Sequence, residues 1–287
     1  MLRKNLFLIF FLIFSVASAA SRYDSIISQM NAIQKFAPDK VALLSLGENN
    51  DKSQILMFRI SNTPNIMDYN KIGMLTVATH HGNEGETTNI VLNLAKELIL
   101  ADLGNYEYYL IPVLNIPGYN KNIRTENGYD PNRDYPGPCK KSTSFYLKST
   151  KALANLLSLR SFSASATLHG FIGIIAYPWG IITKDTKTKD DPYYVTISER
   201  VAAIAKYDYG NSTDAIYGAN GCFEDFAYWY KGIWSLLFEI RDGSQTDVYN
   251  NTRAILEFFR SVNYTPSMNY DFIGICGSSG YRDFKLE

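Results

Sequence analysis

The chain has 287 residues, 46% of them hydrophobic, with 28 basic and 28 acidic side chains and so no formal net charge. That length and apolar content support one large α/β domain with a substantial core, and two compact domains fit less well. Without a basic excess there is no bulk charge to recruit nucleic acid or an anionic membrane surface, so binding has to come from a local pocket.

The first twenty residues carry Arg3 and Lys4, an apolar run over 6–14, and then Ala17-Ser18-Ala19-Ala20. This is the three-part layout of a secretory signal, with cleavage expected after Ala19 or Ala20. The run is shorter than the ~20 apolar residues of a membrane span. No later segment is long and apolar enough to cross a bilayer, and residues 282–287 are too polar for a lipid-anchor tail. The expected mature protein is soluble, not inserted in a membrane, and monomeric. Its expected destination is the outside of the cell or the lumen of an endomembrane or lysosome-like compartment. Triplets beginning at Asn211, Asn250 and Asn263 are acceptor sequons for N-glycosylation in such a chain. Cys139, Cys222 and Cys276 are an odd set, allowing at most one internal disulfide, with the pairing open.

After the signal, residues 23–36 carry Ile26, Ile27, Met30, Ile33 and Phe36 at helical spacing and predict an amphipathic helix. Strand-like runs follow at 41–46, 55–60, 72–79 and 108–114, with a helical pattern at 89–100 before the last. Then come a helix at 145–159, a strand at 163–168, a helix at 198–207, a strand at 234–240 and a final helix at 248–262. Strands interleaved with helices predict a mixed sheet covered on both faces. No repeat, low-complexity tract or linker divides the chain after the signal, so residues 21–287 are expected to form one domain.

The three histidines fall in two segments, Thr79-His80-His81-Gly82-Asn83-Glu84 and Thr167-Leu168-His169-Gly170. Each segment ends an apolar run. Two imidazoles and a carboxylate suffice to hold a zinc ion with one position open for water. A third apolar run delivers Glu239, a candidate general base beside such an ion. Ligands of open α/β sheets bind outside the carboxyl ends of the strands, where His81, His169 and Glu239 all sit.

These segments resemble the zinc carboxypeptidase family (peptidase family M14), across five stretches between about residue 40 and residue 243. His81-Gly82-Asn83-Glu84 has the family's His-x-x-Glu spacing and looks most like the carboxypeptidase N/E branch. Arg124 and the run Asp130-Pro131-Asn132-Arg133 are similar to the family's Asn-Arg substrate motif, and Leu168-His169-Gly170 supplies the histidine that closes the zinc site. Tyr217 and Phe238-Glu239-Ile240-Arg241-Asp242 complete the match, with the 22 residues from Tyr217 to Glu239 that pancreatic members also have. The resemblance implies a three-layer α/β/α sandwich around a mixed, largely parallel eight-stranded sheet. It also implies one zinc ion on His81, Glu84 and His169. His80 competes with His81, because one residue of slip turns a strand side chain to the other face; the spacing to Glu84 favours His81.

The same resemblance implies the other roles. Asp130 would hydrogen-bond a ligand histidine and fix its tautomer. Asn132 and Arg133 would receive the substrate's terminal carboxylate, and Tyr217 would close over it. Glu239 would take a proton from zinc-bound water and hand it to the leaving amine. Arg124, with Lys121 as fallback, would stabilise the oxyanion. The pattern begins soon after the signal, so no inhibitory pro-segment is expected, nor the small all-β domain that follows the catalytic domain in the N/E branch.

Three departures bear on specificity. Asn83 stands where pancreatic enzymes carry an arginine. Gly180, eleven residues after His169, stands where the N/E branch has an aspartate that selects basic side chains. Glu224, seven residues after Tyr217, occupies the pocket-floor position of pancreatic enzymes, where a buried carboxylate favours a C-terminal Lys or Arg; the alternatives are a pocket altered by Asp225 or a local lysine, and a helix with Glu224 facing solvent. The sequence thus predicts a secreted zinc metallocarboxypeptidase acting on peptide or protein C-termini. One rival is a deacylase similar to aspartoacylase and succinylglutamate desuccinylase, which share His-Gly-Asn-Glu and an Asn-Arg pair. The other is a metal-free binding module on the same fold, in which a ligand or the base would be lost.

Overall fold

The computed structural model describes residues 20–137, 145–181 and 187–262. Most of the expected signal, the polar end at 282–287, Cys139, Cys276 and the sequon at Asn263 lie outside the described residues. Helix α1 (Arg22–Phe36) starts in a capping box, with Asp24 N–H donating to Ser21 Oγ and Ser21 N–H to Asp24. Strands β1 (Val41–Glu48), β2 (Gln54–Ile60) and β3 (Ile72–Ala78) follow, then α2 (Thr87–Leu100), β4 (Tyr106–Ile111) and the short α3 (Ile116–Lys121). A single 3-10 turn, Pro131–Arg133, precedes α4 (Lys148–Leu159), β5 (Phe162–Gly170) and β6 (Ile174–Tyr177). The described chain ends with α5 (Asp191–Ala205), β7 (Asp208–Asn211), α6 (Ser212–Ala215), α7 (Phe223–Lys231), β8 (Trp234–Ile240) and α8 (Gln245–Ser261).

The eight strands form one sheet in the order β1-β2-β4-β3-β5-β8-β6-β7. The central run β4-β3-β5-β8 is parallel, whereas β1, β2 and β4 pair antiparallel at one edge and β6 meets β8 antiparallel at the other. The alternation of elements predicts this mixed α/β sheet, and the family resemblance implies its eight strands. Its central strands are apolar at successive positions because both faces are covered: all but one residue of β3 and of β8 is buried. Helices α2, α5 and α8 pack together against the sheet, while α4 packs on β1 and α7 on β5 and β8.

Where observed and expected boundaries differ, local chemistry explains it. The strand expected to reach 114 stops at Ile111 because Pro112 has no N–H for the ladder. The helix expected from 198 begins at Asp191, with Pro192 in its first turn, where a missing N–H costs nothing. Strands β6 and β7 have four residues each and carry no pattern long enough to read. The parallel neighbours β3, β5 and β8 end side by side, and β5 and β8 are in register with His169 opposite Glu239. Three distant segments thereby open onto one cleft.

Candidate active site

Beyond β3 the chain turns at Thr79, whose φ is 59°, and packs Gly82 against α3. A Cβ at Gly82 would lie 2.0 Å from the Gly118 carbonyl carbon, so only glycine permits this approach. The turn closes with Glu84 N–H donating to the His81 carbonyl at 3.1 Å, which sets the two side chains on one side. His81 Nδ1 and His169 Nδ1 lie 2.9 and 3.0 Å from the two oxygens of Glu84, and 3.1 Å from each other. All three residues are buried.

This donor set fits a zinc ion. Tetrahedral zinc with bonds of about 2.0–2.1 Å separates its ligands by roughly 3.3 Å, close to the spacing here. Two imidazole nitrogens facing each other across a carboxylate otherwise need a proton to hold them together. Burial opposes a charge on His169, but the Glu84 charge and hydrogen bond, helped by Glu224 and Glu239, raise its pKa to about 9. Burial likewise opposes charge on Glu84, yet the charge and hydrogen bond of His169, with those of His81, lower it to about 2. The site therefore favours positive charge at this point, from a proton or from a metal.

The other nitrogen of His81, Nε2, donates to Asp130 Oδ1 at 2.9 Å, which leaves the Nδ1 lone pair for the metal side. Asp130 also caps the 3-10 turn, accepting from Asn132 N–H at 2.9 Å, and its Oδ2 accepts from Arg124 Nε at 2.9 Å. Despite the cost of burial, the hydrogen bond and charge of His81 together with Arg124 hold the Asp130 carboxyl well below its usual range. Arg124 is thus anchored by Asp130, with Nη1 3.7 Å from Glu84, and lines the cavity. His80 points elsewhere. Its Nε2 meets the Tyr135 hydroxyl at 3.0 Å, its ring stacks on His169 with centroids 5.5 Å apart, and burial pushes its pKa well below the ordinary value.

Glu239, partly buried at the end of β8, faces the same cavity, and its carboxylate makes no hydrogen bond among the described residues. Burial first, and then the nearby Glu84 charge against the pull of His169, raises its pKa. Arg133 donates from Nη2 to the Tyr217 hydroxyl at 3.0 Å and from Nη1 to Cys222 Sγ at 3.4 Å. Asn132 is clamped by Phe223 N–H, which donates to its Oδ1 at 2.8 Å. Cys222 is a free thiol in the cavity wall, its pKa raised well above normal by burial. The cavity holds about 340 Å³ and brings His81, Glu84, His169, Arg124, Asn132, Arg133, Tyr217, Glu224 and Glu239 together.

Thr167 adds what the sequence reading lacked, and Asp225 takes a defined place in the wall. Thr167, two residues before His169 and hence on the same face of β5, donates its hydroxyl to Glu224 Oε1. Asp225 also lines the cavity and accepts Gly180 N–H on both oxygens at 3.0 Å. Burial raises its pKa to about 8. The Thr167 signal was a hydroxyl on a buried strand, which demands a partner, as Ser165 on the same strand finds one in Ser235 at 2.8 Å.

A sequence model of the zinc carboxypeptidase family matches residues 26–262, and the chain belongs to that family. Carboxypeptidase B of Homo sapiens is 28% identical over 179 residues, covering 49% of this chain and 42% of its own length. Carboxypeptidase SOL1 of Arabidopsis thaliana is 27% identical over 229 residues, covering 70% of this chain and 46% of its own. The chain thus spans less than half the length of these two relatives. Among solved structures, carboxypeptidase A from Helicoverpa armigera superposes with a TM-score of 0.74 at 18% identity, over 84% of this chain and 73% of that one. Thrombin activatable fibrinolysis inhibitor does so with 0.70 at 17% identity, over 83% and 73%.

Proposed function

We propose that residues 21–287 form a secreted zinc metallocarboxypeptidase domain that hydrolyses the last peptide bond of peptides or proteins. The observation that carries this reading is the convergence, in one cavity, of three zinc-type donors, an unpaired glutamate and an Asn-Arg-Tyr cluster. A terminal carboxylate entering the cavity is received by Arg133, whose planar fork suits bidentate binding, while Asn132 and Tyr217 flank it. Bound zinc would supply Lewis-acid polarisation and a lowered pKa for the attacking water. Glu239 takes a proton from that water as its oxygen bonds to the scissile carbonyl carbon. Arg124 stabilises the developing oxyanion. When the C–N bond breaks, Glu239 returns the proton to the leaving amine, releasing a free amino acid and the shortened chain. Two buried acids, Glu224 and Asp225, line the cavity and favour a C-terminal Lys or Arg, because a cationic side chain offsets the cost of an unpaired buried charge. Secretion is supported by the N-terminal signal pattern; among the described residues no helix is long and apolar enough to cross a membrane.

The test is hydrolysis of matched blocked dipeptides ending in Arg or Phe, with and without a zinc chelator, by wild type and Glu239→Gln. The expected result is chelator-sensitive release of the terminal residue, with kcat lower by roughly 10²–10⁴ in the variant while zinc content is unchanged. No release of either residue by zinc-loaded wild type would refute the peptidase reading.

A further inference from the structure

Helix α1 is fixed on β1 and β2. Its Ile26, Met30 and Ile33 are buried, and the Tyr23 hydroxyl accepts from Leu56 N–H at 3.0 Å and donates to the Gln54 carbonyl at 3.2 Å, both on β2. From this post, two groups of the first turn reach α3. Tyr23 N–H donates to Asn120 Oδ1 at 3.0 Å. Arg22 Nη1 donates to the Tyr119 carbonyl at 2.8 Å and to Asn122 Oδ1 at 3.2 Å, while its Cζ stands 4.5 Å from the centre of the Tyr119 ring. One guanidinium thus caps a carbonyl in the last turn of α3 and lies on the ring of the same tyrosine.

Helix α3 in turn touches the backbone that bears two of the proposed zinc ligands. Gly82 packs directly on Gly118, and a Cβ at Gly85 would lie 2.9 Å from both Arg22 Nη2 and Tyr119 Cε2. Gly85 follows Glu84, so the arginine and the tyrosine together cover the chain where the His81–Glu84 turn ends. Asn115, the N-cap of α3, donates from Nδ2 to the carbonyls of His80 at 3.1 Å and Arg124 at 3.2 Å. Ile123 N–H, one residue before Arg124, donates back to the Gly118 carbonyl at 3.0 Å. Helix α3 is therefore the common support of the turn carrying His81 and Glu84 and of the stretch carrying Arg124. With six residues it has no stability of its own and takes its position from what it packs against.

Resting on the peptidase reading, we propose that Arg22 is a positioning residue of the active site, which clamps α3 against the Gly82 and Gly85 backbone and so sets the places of Glu84 and Arg124. Its bonds go to α3 and not to the cavity. Asn132, by contrast, is held from α7 by Phe223 N–H, so the carboxylate-binding turn has an anchor of its own.

The experiment compares wild type, Arg22→Ala and Arg22→Lys by three measurements. In the metal-free protein, hydrogen exchange at the Glu84 and Ile123 amides should quicken about 3- to 10-fold in Arg22→Ala, with no change at Gly173 N–H, which bonds the Glu239 carbonyl on β8. Zinc affinity, read by competition with a chelator, should fall about 3- to 10-fold, less than the roughly 10- to 100-fold of a group bonded to a ligand side chain. At saturating zinc, kcat for a blocked dipeptide should fall while KM stays within about twofold, because the loss falls on Arg124 and not on the carboxylate site. Arg22→Lys keeps a cation for the Tyr119 carbonyl and ring, so its zinc affinity should lie closer to wild type than that of Arg22→Ala. The assignment is overturned if Arg22→Ala leaves zinc affinity and exchange within about twofold of wild type even where Tm falls, if exchange quickens as much at Gly173 as at Glu84, or if lysine is no better than alanine. Absence of hydrolysis by zinc-loaded wild type is a separate result: it removes the peptidase reading, and the exchange and zinc measurements still decide the clamp.

Discussion

Asp130 joins three parts of the site, so Asp130→Asn tests the arrangement more sharply than loss of a metal ligand would. Its Oδ1 accepts from His81 Nε2 and Asn132 N–H, and its Oδ2 from Arg124, each at 2.9 Å. An asparagine keeps one acceptor oxygen, which goes to the side with two donors, and turns an NH₂ toward the guanidinium. Two donors then face each other. Arg124, whose side chain is 40% exposed, has water to turn into and leaves. His81 keeps a partner, but a neutral one, and a hydrogen bond to a neutral acceptor has roughly half the strength of one to a charged acceptor. The alternative amide flip is worse for metal, since His81 would have to move its proton to Nδ1, the atom that faces Glu84 and His169.

Loss of such an outer partner weakens metal affinity about 10- to 100-fold, or about 1.4–2.8 kcal/mol. Competition with a chelator of known affinity measures that term directly. A second measurement, kcat at saturating zinc, isolates the release of Arg124, for which a fall of roughly 10²–10³ is expected if it is the oxyanion donor. Zinc affinity within twofold of wild type would refute the claim that Asp130 fixes the His81 tautomer. Reduced affinity with full kcat at saturation would refute the role of Arg124 and leave the His81 argument standing.

Chelation should lower Tm by about 5–10 °C, since zinc at a hundredfold excess over its Kd stabilises the folded state by about 2.7 kcal/mol; a melting curve with and without chelator checks it, and no shift would count against a built metal site. The metal-free form carries a proton on His169 up to about pH 9, so zinc binding should release protons at neutral pH and weaken as pH falls, read by calorimetry in buffers of different ionisation enthalpy. Asp225 is raised from 3.8 to about 8 in the folded chain, so the unfolded chain ionises first and the residue costs stability progressively as pH rises between those values. The Tm advantage of Asp225→Asn over wild type should accordingly grow from pH 4 to pH 8, and a constant difference would refute the shift. A bound cation favours the ionised form, so the affinity for an Arg-ended inhibitor should rise with pH up to about 8 and then level off.

The proposed metal ligands and base stand out in the sequence because each is announced locally. His81 and Glu84 are three residues apart in one turn, and His169 and Glu239 each end an apolar run, which marks a strand whose carboxyl end opens on a cleft. The adjacency of those strands was not local information: β3, β5 and β8 are separated by whole helices, and no pattern along the chain fixes their order β3-β5-β8. Even His81 over His80 rested on spacing to Glu84, and the structure gives the physical reason, since His80 turns to Tyr135 and serves as a floor beneath His169.

The proposed preference for Lys or Arg was less legible for a geometric reason. Adjacent residues on a helix point about 100° apart, so Glu224 and Asp225 cannot both take the same direction, and which of them meets substrate depends on what else claims their oxygens. The claim on Glu224 comes from Thr167, 57 residues earlier on β5, and from Asn132, 92 residues earlier in the 3-10 turn. The claim on Asp225 comes from Gly180, 45 residues earlier. Position seven after Tyr217 therefore carries a carboxylate, as expected, whose hydrogen bonds tie α7 to β5 and to the 3-10 turn, while Asp225 is held on the Gly180 N–H. A charge required at one point in space can be supplied from any wall that reaches it, and only the fold says which wall that is.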